Sequence, residues 1–133
     1  HPMPVATFNV PAALGNFCER GGRNGAHASH ENPTPIFHKK LVFVTWFNAG
    51  MRVVDVRNPF NPTEVGYYIP ATSENTANRC IEINGQERCK TAIQSNNLEV
   101  DDRGYIYVTD RAGTGMHILD LTGDAREIAD YPE

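Results

Sequence analysis

Two stretches of this chain read alike. Leu41-Val-Phe-Val-Thr45 followed by Gly50-Met-Arg-Val-Val-Asp-Val56 is echoed by Tyr105-Ile-Tyr-Val-Thr109 followed by Gly115-Met-His-Ile-Leu-Asp-Leu121. Val-Thr, Gly-Met and a later Asp recur in the same order, with one extra residue in the second Thr-to-Gly loop. A fainter echo links His1–Pro11 to Asn61–Pro70. Internal repetition fixes architecture before any single residue does, because each unit buries its apolar face against the next. The repeated segments are short, rich in β-branched and aromatic residues, and bounded by Gly, Asn and Pro, which are strand and hairpin signals. The expectation is an all-β repeat protein.

The strands expected in the first unit are Leu41–Trp46, Met51–Val56 and Glu64–Ile69, joined by Asn48-Ala49-Gly50 and by the two-proline connection Asn58–Pro62. Proline cannot donate to a ladder and so belongs between strands. Gly25–Glu31 reads as a short opening strand. The second unit opens at Ile93–Val100, turns at Asp101-Asp-Arg-Gly104, and continues through Tyr105–Thr109, Met116–Leu121 and Arg126–Tyr131. An Asp-initiated turn explains the paired carboxylates at 101–102 without calcium. Pro4–Pro11 reads as an outer strand and Ala12–Asn24 as a loop. No segment shows 3.6-residue periodicity over a helical length. Eleven glycines and nine prolines among 133 residues fit many turns. The expected organisation is one segment, residues 1–133: an outer strand at 1–11, a four-stranded unit at 25–70, an insertion at 71–92 and a second unit at 93–133.

The insertion carries its own signal. Cys80 and Cys89 flank Ile-Glu-Ile-Asn-Gly-Gln-Glu-Arg, and Asn84-Gly85 at its centre is the type I′ hairpin signature. Counting outward pairs Ile83 with Gln86, Glu82 with Glu87, Ile81 with Arg88 and Cys80 with Cys89. The fourth pair of such a hairpin is non-hydrogen-bonded, with Cα atoms about 4.5 Å apart, within disulfide range. Glu82 opposite Glu87 is the one objection to this register. A disulfide implies an extracytoplasmic setting: periplasm, cell surface or medium. Cys18 is then left over, free or bridged to a stretch of chain outside these 133 residues.

A net charge of −4 with scattered Lys and Arg argues against nucleic acid as a partner. No apolar run approaches the ~20 residues of a membrane helix. The chain starts without an initiator Met or a signal peptide, which is the expectation for a processed or cleaved end.

Four strands per unit, preceded by one outer strand, is the pattern of a β-propeller cut to about two blades. The stretch GMRVVDVRNPFNPTEVGYY resembles the LVIVD repeat of bacterial secreted and surface propellers, and NNLEVDDRGYIYVTDRAGTGMHILDL is similar to a terminal blade of that group. The resemblance implies a partial propeller whose partners are the remaining blades, on the same polypeptide or on other subunits. It implies no single activity, since propellers host many functions.

Residues with chemistry are few. His27, His30 and Glu31 offer imidazole and carboxylate ligands of the kind that suit Cu, Zn or Fe. In an extended backbone His27 and Ser29 share one face and His30 the other, so a shared metal needs a turn or bulge there. The alternative is that these side chains hydrogen-bond neighbouring strands. Selenium-binding propellers with methanethiol oxidase activity are distantly similar in having channel-side histidines and are associated with copper, though their motifs do not match this chain residue by residue. His117 occupies the slot of Arg52 in the repeat, which reads as polar and solvent-facing. Trp46 and Phe47 at a strand end could form a carbohydrate platform, and Asp110-Arg111 a loop pair on one face. Asp55 and Asp120 recur between units and read as turn caps. Two functional readings stand: a non-enzymatic secreted or surface segment serving binding or assembly, and, from a different class, part of a copper-type metal-dependent oxidoreductase.

Overall fold

The protein, described here from a computed structural model over residues 1–132, is mainly β. Strands β1 (Leu41–Thr45), β2 (Met51–Asp55) and β3 (Thr63–Tyr68) form one antiparallel sheet in chain order. Strands β4 (Asn78–Ile83) and β5 (Gln86–Thr91) form a two-stranded hairpin. Strands β6 (Ser95–Val100), β7 (Ile106–Asp110) and β8 (Met116–Leu119) form the third sheet, again a meander. The duplicated sequence thus builds the same hairpin twice, β1–β2 and β7–β8.

The two meanders share one core. Side chains alternate across a strand, so Leu41 and Phe43 of β1 point to the same side. They meet Met51 and Val53 of β2 and, from the other sheet, Leu98, Val100, Ile106 and Val108. Phe43 and Val108 are fully buried, and burial of such side chains stabilises by roughly 1.5–3 kcal/mol each. Phe37, from the turn before β1, closes the core edge-on against Phe43 with ring centroids 4.8 Å apart. β1 lies beside β6, so the meanders meet along these two strands.

The hairpin follows the register read from its turn. Asn84 and Gly85 both have positive φ (54° and 74°), as type I′ requires. The pairs run from Ile83↔Gln86 out to Cys80↔Cys89, and the two cysteines form a disulfide with Cα atoms 4.0 Å apart. Glu82 and Glu87 do face each other, but both are solvent-exposed, where like-charge repulsion is screened.

Four expected elements differ. Pro4–Pro11 is not a strand: a strand exists only through its ladder, and this segment has none among the described residues. It packs by side chains instead, with Phe8 edge-on to Trp46 and Val10 buried beside Phe17. Residues 12–20, read as loop, contain a 3-10 turn (Ala12–Gly15) and the short helix α1 (Phe17–Arg20). Gly25–Glu31 is a strap held by isolated bridges, Asn24↔Phe47 and Ser29↔Val44. Arg126–Tyr131 is corrected most: helix α2 (Gly123–Ile128) stands there. Ala, Arg and Glu favour helix, and Ala125 and Ile128, three apart, fall on one helical face against the core, where Ala129 at the C-cap also packs. Glu133, at the end of the expected 93–133 unit, lies outside the described residues.

Candidate functional site: the seam between the two sheets

The strap over residues 24–32 runs along the end of β1 and reaches across to β6. Its backbone pairs with β1 through His27 N–H to Thr45 O (2.9 Å) and Thr45 N–H to Ala28 O (2.8 Å). The buried Thr45 hydroxyl donates to Asn96 O of β6 and accepts from Ala28 N–H (3.1 Å). One threonine therefore ties strap, first sheet and second sheet together.

The two histidines are engaged in the same lacing. His27 Nδ1 lies 2.9 Å from the carbonyl oxygen of Asn96 and so carries the proton that it donates. Its ring packs against Phe47 at 4.8 Å. His30 does the opposite: its Nδ1 accepts from Phe43 N–H at 3.3 Å, and its ring leans on Phe43. Burial pushes the His30 pKa down, against the pull of the nearby Glu99 carboxylate. The two rings thus hold different partners, Asn96 O of β6 and Phe43 N–H of β1.

Glu31 contributes its backbone rather than its carboxylate. Its N–H and that of Asn32 donate to the Glu99 carboxylate at 3.1–3.2 Å. Burial pulls the Glu99 pKa upward, yet these amides, that of Val100 and the His30 ring together hold it below its ordinary value. Among the described residues, only Cys80, Glu87 and Cys89 form a cluster of three ligand atoms within 4.8 Å, and both sulfurs are spent in the disulfide. His27, His30 and Glu31 are not gathered around a point, and two imidazole nitrogens are committed to the backbone.

Trp46 and Phe47 are both buried, at 5% and 8% exposure, so neither offers an open ring face. Trp46 Nε1 donates to Asn24 Oδ1 at 3.2 Å, and Phe47 O accepts from Ser95 N–H at 3.1 Å. Phe47 sits at φ 45°, a left-handed conformation unusual for a bulky residue. Its turn is one of the points at which the sheets are stitched. Asn48 in the same turn donates to Phe17 O (2.7 Å) and Gly21 O (2.9 Å), fastening α1 to β1.

Asp110 organises the loop after β7 by accepting from Gln94 N–H and Ala112 N–H, each at 2.6 Å. Arg111 lies beside Asn96, with its Nη1 3.5 Å from Asn96 Oδ1. The pair thus sits at the seam, and its contacts are structural. The Asp101 turn has the expected form: Oδ1 accepts from Arg103 and Tyr105 amides. Desolvation acts upward on Asp101, but bonds from Arg103, Tyr105 and Tyr107 bring its pKa down to about 2. Asp55 caps its turn in the same way through Arg57 N–H, whereas Asp120 pairs with Arg126 of α2 instead.

One residue is placed against expectation. Arg52, read as a solvent-facing slot, is 4% exposed. Its repeat counterpart His117 is half-buried, between Tyr68 OH (3.2 Å) and Thr114 Oγ1 (3.1 Å). The N-terminal segment and α1, packed over β2, cover Arg52 together with Glu64 and Tyr67 of β3, and no local pattern announces that packing. In comparisons with known proteins, no family model, no curated protein and no solved structure matches the chain.

Proposed function

We propose that the chain is a pair of neighbouring blades of an LVIVD-type β-propeller, a non-enzymatic secreted or surface segment that serves binding and assembly. The observation that carries this reading is the duplicated hairpin. Strap, β1, β2 and β3 follow one another as β6, β7, β8 and α2 do, and the two units meet along β1 and β6. Unpaired strand edges add support. Among the described residues β8 pairs only with β7, and it exposes Met116 and Ile118 beside that open edge. Open apolar edges are surfaces that further strands cover. The Cys80–Cys89 disulfide supports an oxidising compartment, and among the described residues no helix is long and apolar enough to cross a membrane.

The oxidoreductase alternative has less support, because His27 and His30 hold backbone groups on separate partners. Native and denatured mass, with metal analysis on the same sample, tests both readings. Blade assembly predicts either a denatured mass above 14.8 kDa or a fixed native multiple of it. A folded 14.8 kDa monomer in solution would sink the propeller reading. Stoichiometric copper or zinc lost on His27→Ala or His30→Ala would restore the enzyme reading.

A further inference from the structure

The N-terminal segment, α1 and the first sheet line a half-open cavity of about 420 Å³. That is within the range of small-ligand sites, roughly 300–1,000 Å³. Its walls are mostly apolar, with Phe8, Val10, Phe17, Tyr67 and Ile69 prominent. Into this lining β2 sends one cation, Arg52.

A buried guanidinium is costly unless its donors are matched. Here the matching is incomplete. Nη2 donates to Ala49 O at 2.7 Å, and the Phe17 and Tyr67 rings each lie 5.1 Å from Cζ. The carboxylate of Glu64 reaches only Nη1, at 3.3 Å, and its side chain is one-third exposed. Nε has no hydrogen-bond partner among the described residues. Arg20 stands on the cavity wall as a second cation, over the Phe17 ring at 4.7 Å. Two guanidinium groups thus face one carboxylate held by a single long contact.

We propose that this cavity binds a small amphipathic carboxylate, an aromatic or short aliphatic body carrying one anionic head. The head accepts hydrogen bonds from Arg52, in the planar geometry that guanidinium and carboxylate share. The body displaces water from Phe8, Val10, Phe17 and Ile69. An amine would meet two cations, and an inorganic anion would leave the apolar walls wet. The unpaired N-terminal segment acquires a role in this arrangement, since Phe8 and Val10 supply one wall.

Trp46 makes the test direct. It is the single tryptophan, and its indole lies edge-on to Phe8 with centroids 5.8 Å apart. Phenylacetate, titrated into the full chain, should change its fluorescence saturably, while phenethylamine and inorganic phosphate should not. Glu64→Gln removes the competing carboxylate from a partly exposed position, and should tighten phenylacetate binding about threefold. Arg52→Lys loses the planar fork, and should weaken binding about tenfold. Equal response to phenethylamine or phosphate would overturn the proposal, and so would a Glu64→Gln affinity no tighter than that of the unmodified chain. Absence of any saturable change with millimolar phenylacetate would do the same. Glu64→Gln leaves Arg52 in place, so the outcome does not depend on whether Arg52→Lys folds.

Discussion

Asn48 and His30 each hold the fold by donors or acceptors that water cannot easily replace. Asn48 is 2% exposed, and its amide satisfies the carbonyls of Phe17 and Gly21. Asn48→Ala leaves both without that donor and should cost about 2 kcal/mol, seen as a lower urea midpoint at an unchanged slope. A midpoint shift within error would mean that water takes over both bonds. His30 couples stability to pH. Its folded pKa lies below the ordinary 6.5, so the unfolded chain takes up a proton there before the folded chain does. Stability is therefore full above about pH 6.5 and falls as the pH drops through the lowered folded value. Glu99, held below 4.5, and Asp101, held at about 2, add a second acid limb below the first. His30→Gln keeps an acceptor for Phe43 N–H and should remove the upper limb while leaving the lower one. Chemical denaturation from pH 7.5 to 3 checks this, and an unchanged upper limb would show that His30 does not titrate differently on folding.

At the scale of elements, what was legible depended on how local the determining physics is. The β4–β5 hairpin could be read pair by pair because its register is set by two turn residues, Asn84 and Gly85. β1, β2, β7 and β8 were legible from composition and repetition, since each is a run of β-formers between turn residues. α2 was misread because six residues are too few for periodicity to register, although Ala125 and Ile128 did carry the helical spacing. The strap, read as a short strand, and the N-terminal segment, read as an outer strand, form no continuous ladder among the described residues, because a ladder depends on a partner that lies far away in sequence. The same distance hid Arg52, part of whose cover comes from residues 8–20. The hairpin also carries a prediction of its own. Its residues are almost all exposed, so its ties to the rest are few, Lys90 Nζ to Glu19 O among them. A disulfide closing a loop this short is worth about 2–3 kcal/mol when its loss is felt by the whole fold. Reduction should instead loosen amides 78–91 alone, with β1–β3 and β6–β8 keeping their hydrogen-exchange protection. Parallel loss of protection in the two meanders would show that the hairpin is part of the cooperative unit.

For the whole molecule the question is whether two similar sheets behave as two bodies or as one. Repeat proteins are stabilised by the interfaces between units as well as within them, and here the interface and the core coincide. Phe43 from β1, at 0% exposure, meets Phe37 and side chains of the second meander in a single cluster. Thr45, His27 and Glu99 bond across the seam just outside that cluster. The one further apolar cluster among the described residues, Val10, Phe17, Trp46 and Ala49, is small and lies against the first sheet alone, so neither sheet should persist once the shared core is breached. Phe43→Ala removes a large buried ring, and should cost about 3–5 kcal/mol. The position of that loss is more informative than its size. If the sheets are one cooperative unit, amides in β6 and β7, which carry no substitution, should lose exchange protection by the same free energy as those in β1 and β2. If β6–β8 keeps its protection while β1–β3 loses its own, the units fold separately and the seam is only a contact. The reciprocal variant Val108→Ala, from the second sheet, should then show the mirror image. Matching losses from both sides would establish that the pair of units is the smallest piece of this architecture that folds as one, as units laid side by side around a common core require.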